Sequence, residues 1–271
     1  MAGYKKKRAR ELKHDRFRDT TMTLLDRLGN RLEGKGRHIL YGLAGAVVVF
    51  LLGYAVITWR GRHTEEAERA LGRGIKIATA SVSSSPGADP GEVHFASEQE
   101  RAQKAIEEFR KVEAKYGEPY RSEARYFIAT NSLVVDRPKG ISDLATLGGG
   151  SNREVATLAK FALAQAKEED RSLDEAAALY GELAKQKDGV VTEETANLRL
   201  ALVYKKQGKK KEAADLLFNI VDAARKARDA DGKPASQSAA AREAATELQK
   251  IDAARYAQLP PEASAMELPL G

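Results

Sequence analysis

Few residues of this 271-residue chain have the type and spacing that side-chain chemistry requires. Cysteine is absent, which excludes disulfides, thiolate-bound zinc, iron–sulfur clusters and a cysteine nucleophile. The four histidines, His14, His38, His63 and His94, are the natural metal ligands or general bases. None stands in HExxH or another ligand spacing, and all read as exposed connector residues. Gly148-Gly149-Gly150-Ser151 has the composition of a phosphate-cradling loop. No lysine follows it in P-loop register and no strand precedes it, so it reads as a flexible turn. The carboxylates Glu107/Glu108 and Glu168/Glu169/Asp170 would do acid–base work only if a pocket shifted their pKa; on helix faces and ends they read as solvated surface. Lys205-Lys206-Gln207-Gly208-Lys209-Lys210-Lys211 would meet an acidic partner or lipid headgroups, and otherwise is a solvated turn. The expectation is a non-enzyme, with no catalytic, cofactor-binding or metal-binding residue.

The elements that would position these residues begin with Ile39–Trp59, 21 residues without a charge in a chain that is 31% charged. As a helix such a run reaches about 32 Å, the thickness of a bilayer core, so it is predicted to be a single transmembrane helix. Residues 1–38 hold 12 Lys/Arg and 5 Asp/Glu, an excess of +7, whereas residues 60–271 hold 33 basic and 34 acidic residues, a balance of −1. Basic flanks stay in the cytoplasm, which predicts a cytoplasmic N-terminus and residues 60–271 outside. The sequence pI near 9.3 then reports topology and not nucleic-acid binding. A cleaved secretory signal fits poorly, because 38 residues precede an apolar run too long for one. A buried core helix also fits poorly, because 21 uncharged residues exceed what core helices usually show. No ionisable residue interrupts the run, which argues against a pore or proton relay.

Ahead of it, Leu12, Phe17, Thr21, Leu24, Leu25, Leu28 and Leu32 recur at helical spacing, a basic amphipathic helix for a lipid surface or a partner. Residues 60–97 read as a membrane-proximal helix, with Ala67, Ala70, Leu71, Ile75 and Ala78 on one face, and a Ser/Pro/Gly linker. Residues 98–256 are rich in Ala, Leu, Glu, Lys and Arg, which favours helices throughout, and 257–271 read as a disordered tail. Inside 98–256 a unit recurs. Ala129, Ala164 and Ala201 follow one another by 35 and 37 residues, and Ile141, Ala176 and Ala213 lie twelve residues after each. Ala105-xxx-Phe109-xx-Val112, Ala176-xxx-Tyr180-xx-Leu183 and Ala213-xxx-Leu217-xx-Ile220 share one spacing. Small residues let two helices approach and large ones fill the groove against the next pair, so such hairpins come in stacks.

Leu200 to Ala213, with Ala201, Tyr204, Gly208 and Ala213, resembles a tetratricopeptide repeat; Asp136 and Arg171 stand where Gly208 stands. The order of parts resembles the ancillary SecYEG translocon subunit family, an inner-membrane anchor carrying a periplasmic repeat domain linked to translocation and chaperone handover. The expected fold is therefore all-α: an N-terminal amphipathic helix, one transmembrane helix, then a tetratricopeptide-like solenoid. The expected function is a protein–protein interaction scaffold at a bacterial inner membrane, with the Sec translocon, periplasmic chaperones or secreted clients as partners. The alternative is an envelope-assembly or cell-division coordinator of the same fold. The oligomeric state stays open. Partner contacts are expected on the first helix of each pair, from about 120 to 134, 152 to 167 and 193 to 206, at Arg125, Asn131, Gln165 and Asn197.

Overall fold

A computed structural model describes residues 63–83, 94–187 and 189–262. The chain divides into two compact units, Met1–Glu65 and Glu66–Gly271. The second holds nearly all of the described residues, and they form helices almost throughout: α1 (63–78), α2 (Glu98–Lys115), α3 (Tyr120–Val135), α4 (Arg137–Gly148), α5 (Arg153–Glu169), α6 (Leu173–Leu183), α7 (Glu193–Lys206), α8 (Lys210–Lys226), α9 (Ala239–Ile251) and α10 (Ala253–Tyr256). Between α1 and α2 a minimal parallel pairing, β1 (Ser81–Val82) with β2 (His94–Phe95), joins the two ends of the segment that reads as a linker.

Local chemistry explains where the helices start. Ser97, Asp136, Asn152, Thr192, Ser238 and Asp252 each accept a hydrogen bond from the backbone N–H three residues on. Each satisfies one of the donors that a helix N-terminus leaves open. Two hairpin turns end in the left-handed region, at Gly208 (φ 77°) and at Arg171 (φ 60°). The repeat puts these two residues at one position, and the turn geometry is the same although only one is glycine. Asp136, the third residue of that set, has φ −148° and both ends α3 and caps α4, so this turn is tighter.

The core is a row of four clusters, each shared by one hairpin and the first helix of the next. One joins Ala67 and Ala70 of α1, Phe109 and Val112 of α2, and Ala124 of α3. The next joins Ala129, Leu144 of α4 and Ala159 of α5. The third joins Ala164, Tyr180 and Leu183 of α6, and Ala196 of α7. The last joins Ala201, Leu217 of α8, and Ala244 and Leu248 of α9. A hairpin that cannot bury its own apolar face does so against its neighbour, which is the logic of a stacked array. The packed unit opens with α1, ahead of residue 98 where composition starts the helical repeats.

The expected fold class needs correction. Among the described residues no helix is long and apolar enough to cross a membrane. The transmembrane helix expected at 39–59 and the amphipathic helix expected within 1–38 lie outside the described residues. The described residues form a helical array with one small strand pairing.

Candidate functional site

The first helices α3, α5 and α7 each carry two alanines five residues apart: Ala124 and Ala129 on α3, Ala159 and Ala164 on α5, Ala196 and Ala201 on α7. All six are fully buried. Ala129, Ala164 and Ala201 pack toward the second helix of their own hairpin; Ala124, Ala159 and Ala196 pack toward that of the preceding one. The second helices answer with Ala176, Tyr180 and Leu183 on α6 and Ala213 and Leu217 on α8, all without exposed surface. Tyr204 is half-buried, with Lys209 Nζ 5.4 Å from its ring centroid. On α4 the small position is Gly140 and not Ile141. A Cβ built on Gly140 would lie 2.7 Å from the Leu133 backbone N and 2.9 Å from the Ala129 carbonyl. Gly140-xxx-Leu144-xx-Leu147 then has the spacing of the other second helices, one residue earlier than the twelve-residue rule because the Asp136 turn is tighter.

The four residues expected to contact partners do not share a surface. Counted from the aligned alanines at about 100° per residue, Arg125 and Asn197 take one position, four residues before the alanine. Gln165, one residue after it, stands about 140° around the helix. Arg125 Nε donates to Glu113 Oε1 (2.8 Å) and lines a 320 Å³ groove with Arg110, Lys139, Asp143 and Leu147. Asn197 lines a second groove, of 430 Å³, between α7 and α8. On α5 the same position is Lys160, whose stem lies against Gly148 and whose Nζ donates to Glu182 (3.0 Å). Gln165 is exposed, and Asn131 donates to the Phe127 carbonyl of its own helix (2.8 Å).

One charged cluster contradicts the surface reading of Glu168. Its side chain is 5% exposed. It accepts from Tyr180 Oη (3.1 Å), Arg199 Nη2 (2.7 Å) and Lys206 Nζ (2.7 Å). The cluster thereby joins α5, α6 and α7. Burial on its own raises this carboxyl; the bond from Lys206 and the charge of Arg199 outweigh it and hold Glu168 below the ordinary carboxylate range. Burial, helped by the Glu168 charge and opposed by Arg199, pushes the Tyr180 hydroxyl up to about 12, so it stays a proton donor at neutral pH. A 460 Å³ opening lined by Glu168, Glu169, Arg171, Leu173 and Lys206 lies beside it.

A signal for this cluster exists in the repeat register. Four residues after each aligned alanine come Leu133, Glu168 and Lys205. Leu133 packs on the cluster containing Ala159 and Leu163 of α5; Glu168 reaches Arg199 of α7; Lys205 pairs with Glu247 of α9. This position reaches the next first helix whether its residue is apolar, acidic or basic. Within the basic turn, then, Lys205 and Lys206 tie neighbouring helices together. His94 Nδ1 lies 2.7 Å from Ser81 Oγ across the strand pairing. No protein-family model, no curated protein and no solved structure matches the chain.

Proposed function

We propose that the chain is a protein–protein interaction scaffold whose stacked hairpins hold a segment of another protein, and that it works by binding and not by turnover. The observation that supports this is the repetition itself. Alternate hairpins present the same first-helix position in different chemical dress, a groove with Arg125 on α3 and a groove with Asn197 on α7. Such modular surfaces recognise extended or helical segments side chain by side chain. Membership of the translocation apparatus, with the Sec translocon, periplasmic chaperones or secreted clients as partners, is a proposal resting on the resemblance in order of parts; envelope assembly or cell division is the second reading. Location at a bacterial inner membrane rests on the charge asymmetry of the sequence, and density-gradient separation of inner from outer membranes decides it.

The test is site-specific photocrosslinking from the full chain in cells. Probes at Arg125 and Asn197 should give discrete adducts, and a probe at exposed Lys185, on the turn after α6, should give none. Translocon components or secreted precursors in the adducts favour the first reading, division or envelope machinery the second. Indistinguishable adducts from all three positions, or turnover of a small substrate by the pure chain, would overturn the scaffold itself.

A further inference from the structure

We infer that the groove between α7 and α8 docks a cationic, partly apolar segment of a partner protein. This rests on the binding reading above and gives it a site and a partner chemistry.

The groove has an apolar floor and an acidic rim. Leu216, Ile220 and Ala223 line it from α8. Their spacing of four and three residues puts them on one face of the helix, the kind of stripe a neighbouring element normally covers. Leu216 packs against the cluster that holds Leu183. Aligned through Ala176 and Ala213, the last residue of α6, Leu183, matches Ile220. α6 has 11 residues and α8 has 17. The last six residues of α8 therefore have no counterpart in α6, and Ala223 of the groove is among them. Its 430 Å³ falls within the range of sites that hold ligand groups, about 300–1,000 Å³.

Every charged residue lining the groove is acidic. Glu193 and Glu194 come from the first turn of α7. Glu194 accepts from Ser238 Oγ (2.7 Å), and among the described residues no ion pair neutralises either carboxylate. Acids in a first turn also suit the helix dipole. That role needs neither an open groove nor the amides Asn197 and Asn219, which line it and match a backbone's donors and acceptors. An occupant that satisfies rim and floor together carries Lys or Arg beside Leu-like side chains. A purely apolar occupant would leave the acids unpaired, and an acidic one would be repelled.

The experiment uses the full purified chain and two labelled peptides, one alternating Lys with Leu and one alternating Glu with Leu, followed by fluorescence anisotropy. The Lys–Leu peptide should bind and weaken as salt rises; the Glu–Leu peptide should not bind. Asn219→Arg, a change at an exposed position, should abolish binding of the Lys–Leu peptide. Glu193→Gln with Glu194→Gln should weaken it roughly threefold to tenfold, and melting temperatures recorded alongside report the helix-dipole role separately. Equal binding of both peptides, or Lys–Leu binding unchanged in Asn219→Arg, would overturn the assignment. Concentration-dependent self-association lost in Asn219→Arg would place a second copy in the groove and overturn it as well. Photocrosslinked partners that persist in Asn219→Arg would leave the scaffold reading standing and remove only this site; no discrete adducts from any groove would remove both.

Discussion

Glu168→Ala tests the junction between hairpins. The carboxylate is almost fully buried and receives three donors from two other helices. Its removal leaves the Tyr180 hydroxyl, on a side chain with no exposed surface, without its acceptor; such an orphan costs about 1–3 kcal/mol. Arg199 and Lys206 lose their counter-charge too. Their side chains are 31% and 56% exposed, so water takes over part of that loss, and the total falls at the low end of a broken buried pair, about 3 kcal/mol. Glu168→Gln keeps the volume and an acceptor and should cost about 1–2 kcal/mol. The control is Asp222→Ala, which breaks an exposed pair with Lys226 one turn away, worth about 0.3–0.5 kcal/mol. Equilibrium urea unfolding of the full chain, followed by far-UV circular dichroism, reads all three. The pH dependence has a fixed sign. The folded-state pKa of Glu168 lies below the ordinary 4.5. Its contribution is therefore present above pH 4.5 and lost as pH falls through the folded value. The gap between wild type and Glu168→Gln should close in acid below that point. A Glu168→Ala variant no less stable than Asp222→Ala, or a gap that stays constant through the acid range, would refute the buried cluster.

Glycine substitutions separate close approach from propensity. Gly140→Ala should destabilise by about 1–3 kcal/mol because its Cβ meets backbone of α3; Gly72→Ala, in open space on α1, should stabilise by about 0.5–1 kcal/mol. Ala201→Leu should overpack the contact with α8 at about 1–3 kcal/mol, read from the same urea curves. Gly208→Ala should cost about 1 kcal/mol through its positive φ alone, and Arg171→Gly should be neutral or stabilising by less than that. Paired thermal melts showing Arg171→Gly more damaging than Gly208→Ala would put the strain elsewhere.

Much of the array was legible as a pattern. The steps of 35 and 37 residues between Ala129, Ala164 and Ala201, and the helix-forming composition of 98–256, express local rules: a 3.6-residue period, and small side chains where helices touch. Helices α3, α5 and α7 begin within a residue of where the spacing puts them. The burial of Glu168 was not legible, because a carboxylate beside Glu169 and Asp170 looks solvated until Arg199 and Lys206 of another helix arrive. Nor was Gly140 in place of Ile141, since one residue fewer in the Asp136 turn rotates α4 by about 100°. The expected transmembrane helix drew on composition alone, and no described helix supports it.

The period, the helices and the small residues at their contacts follow from local order, because each is written within one or two turns of chain. Tertiary structure decided which charges are buried and which grooves stay open. The α7–α8 groove brings Glu193 and Glu194 of one helix beside Leu216 and Ile220 of the next. Those residues stand on opposite sides of a turn in the chain, and they share a surface only once the two helices pack.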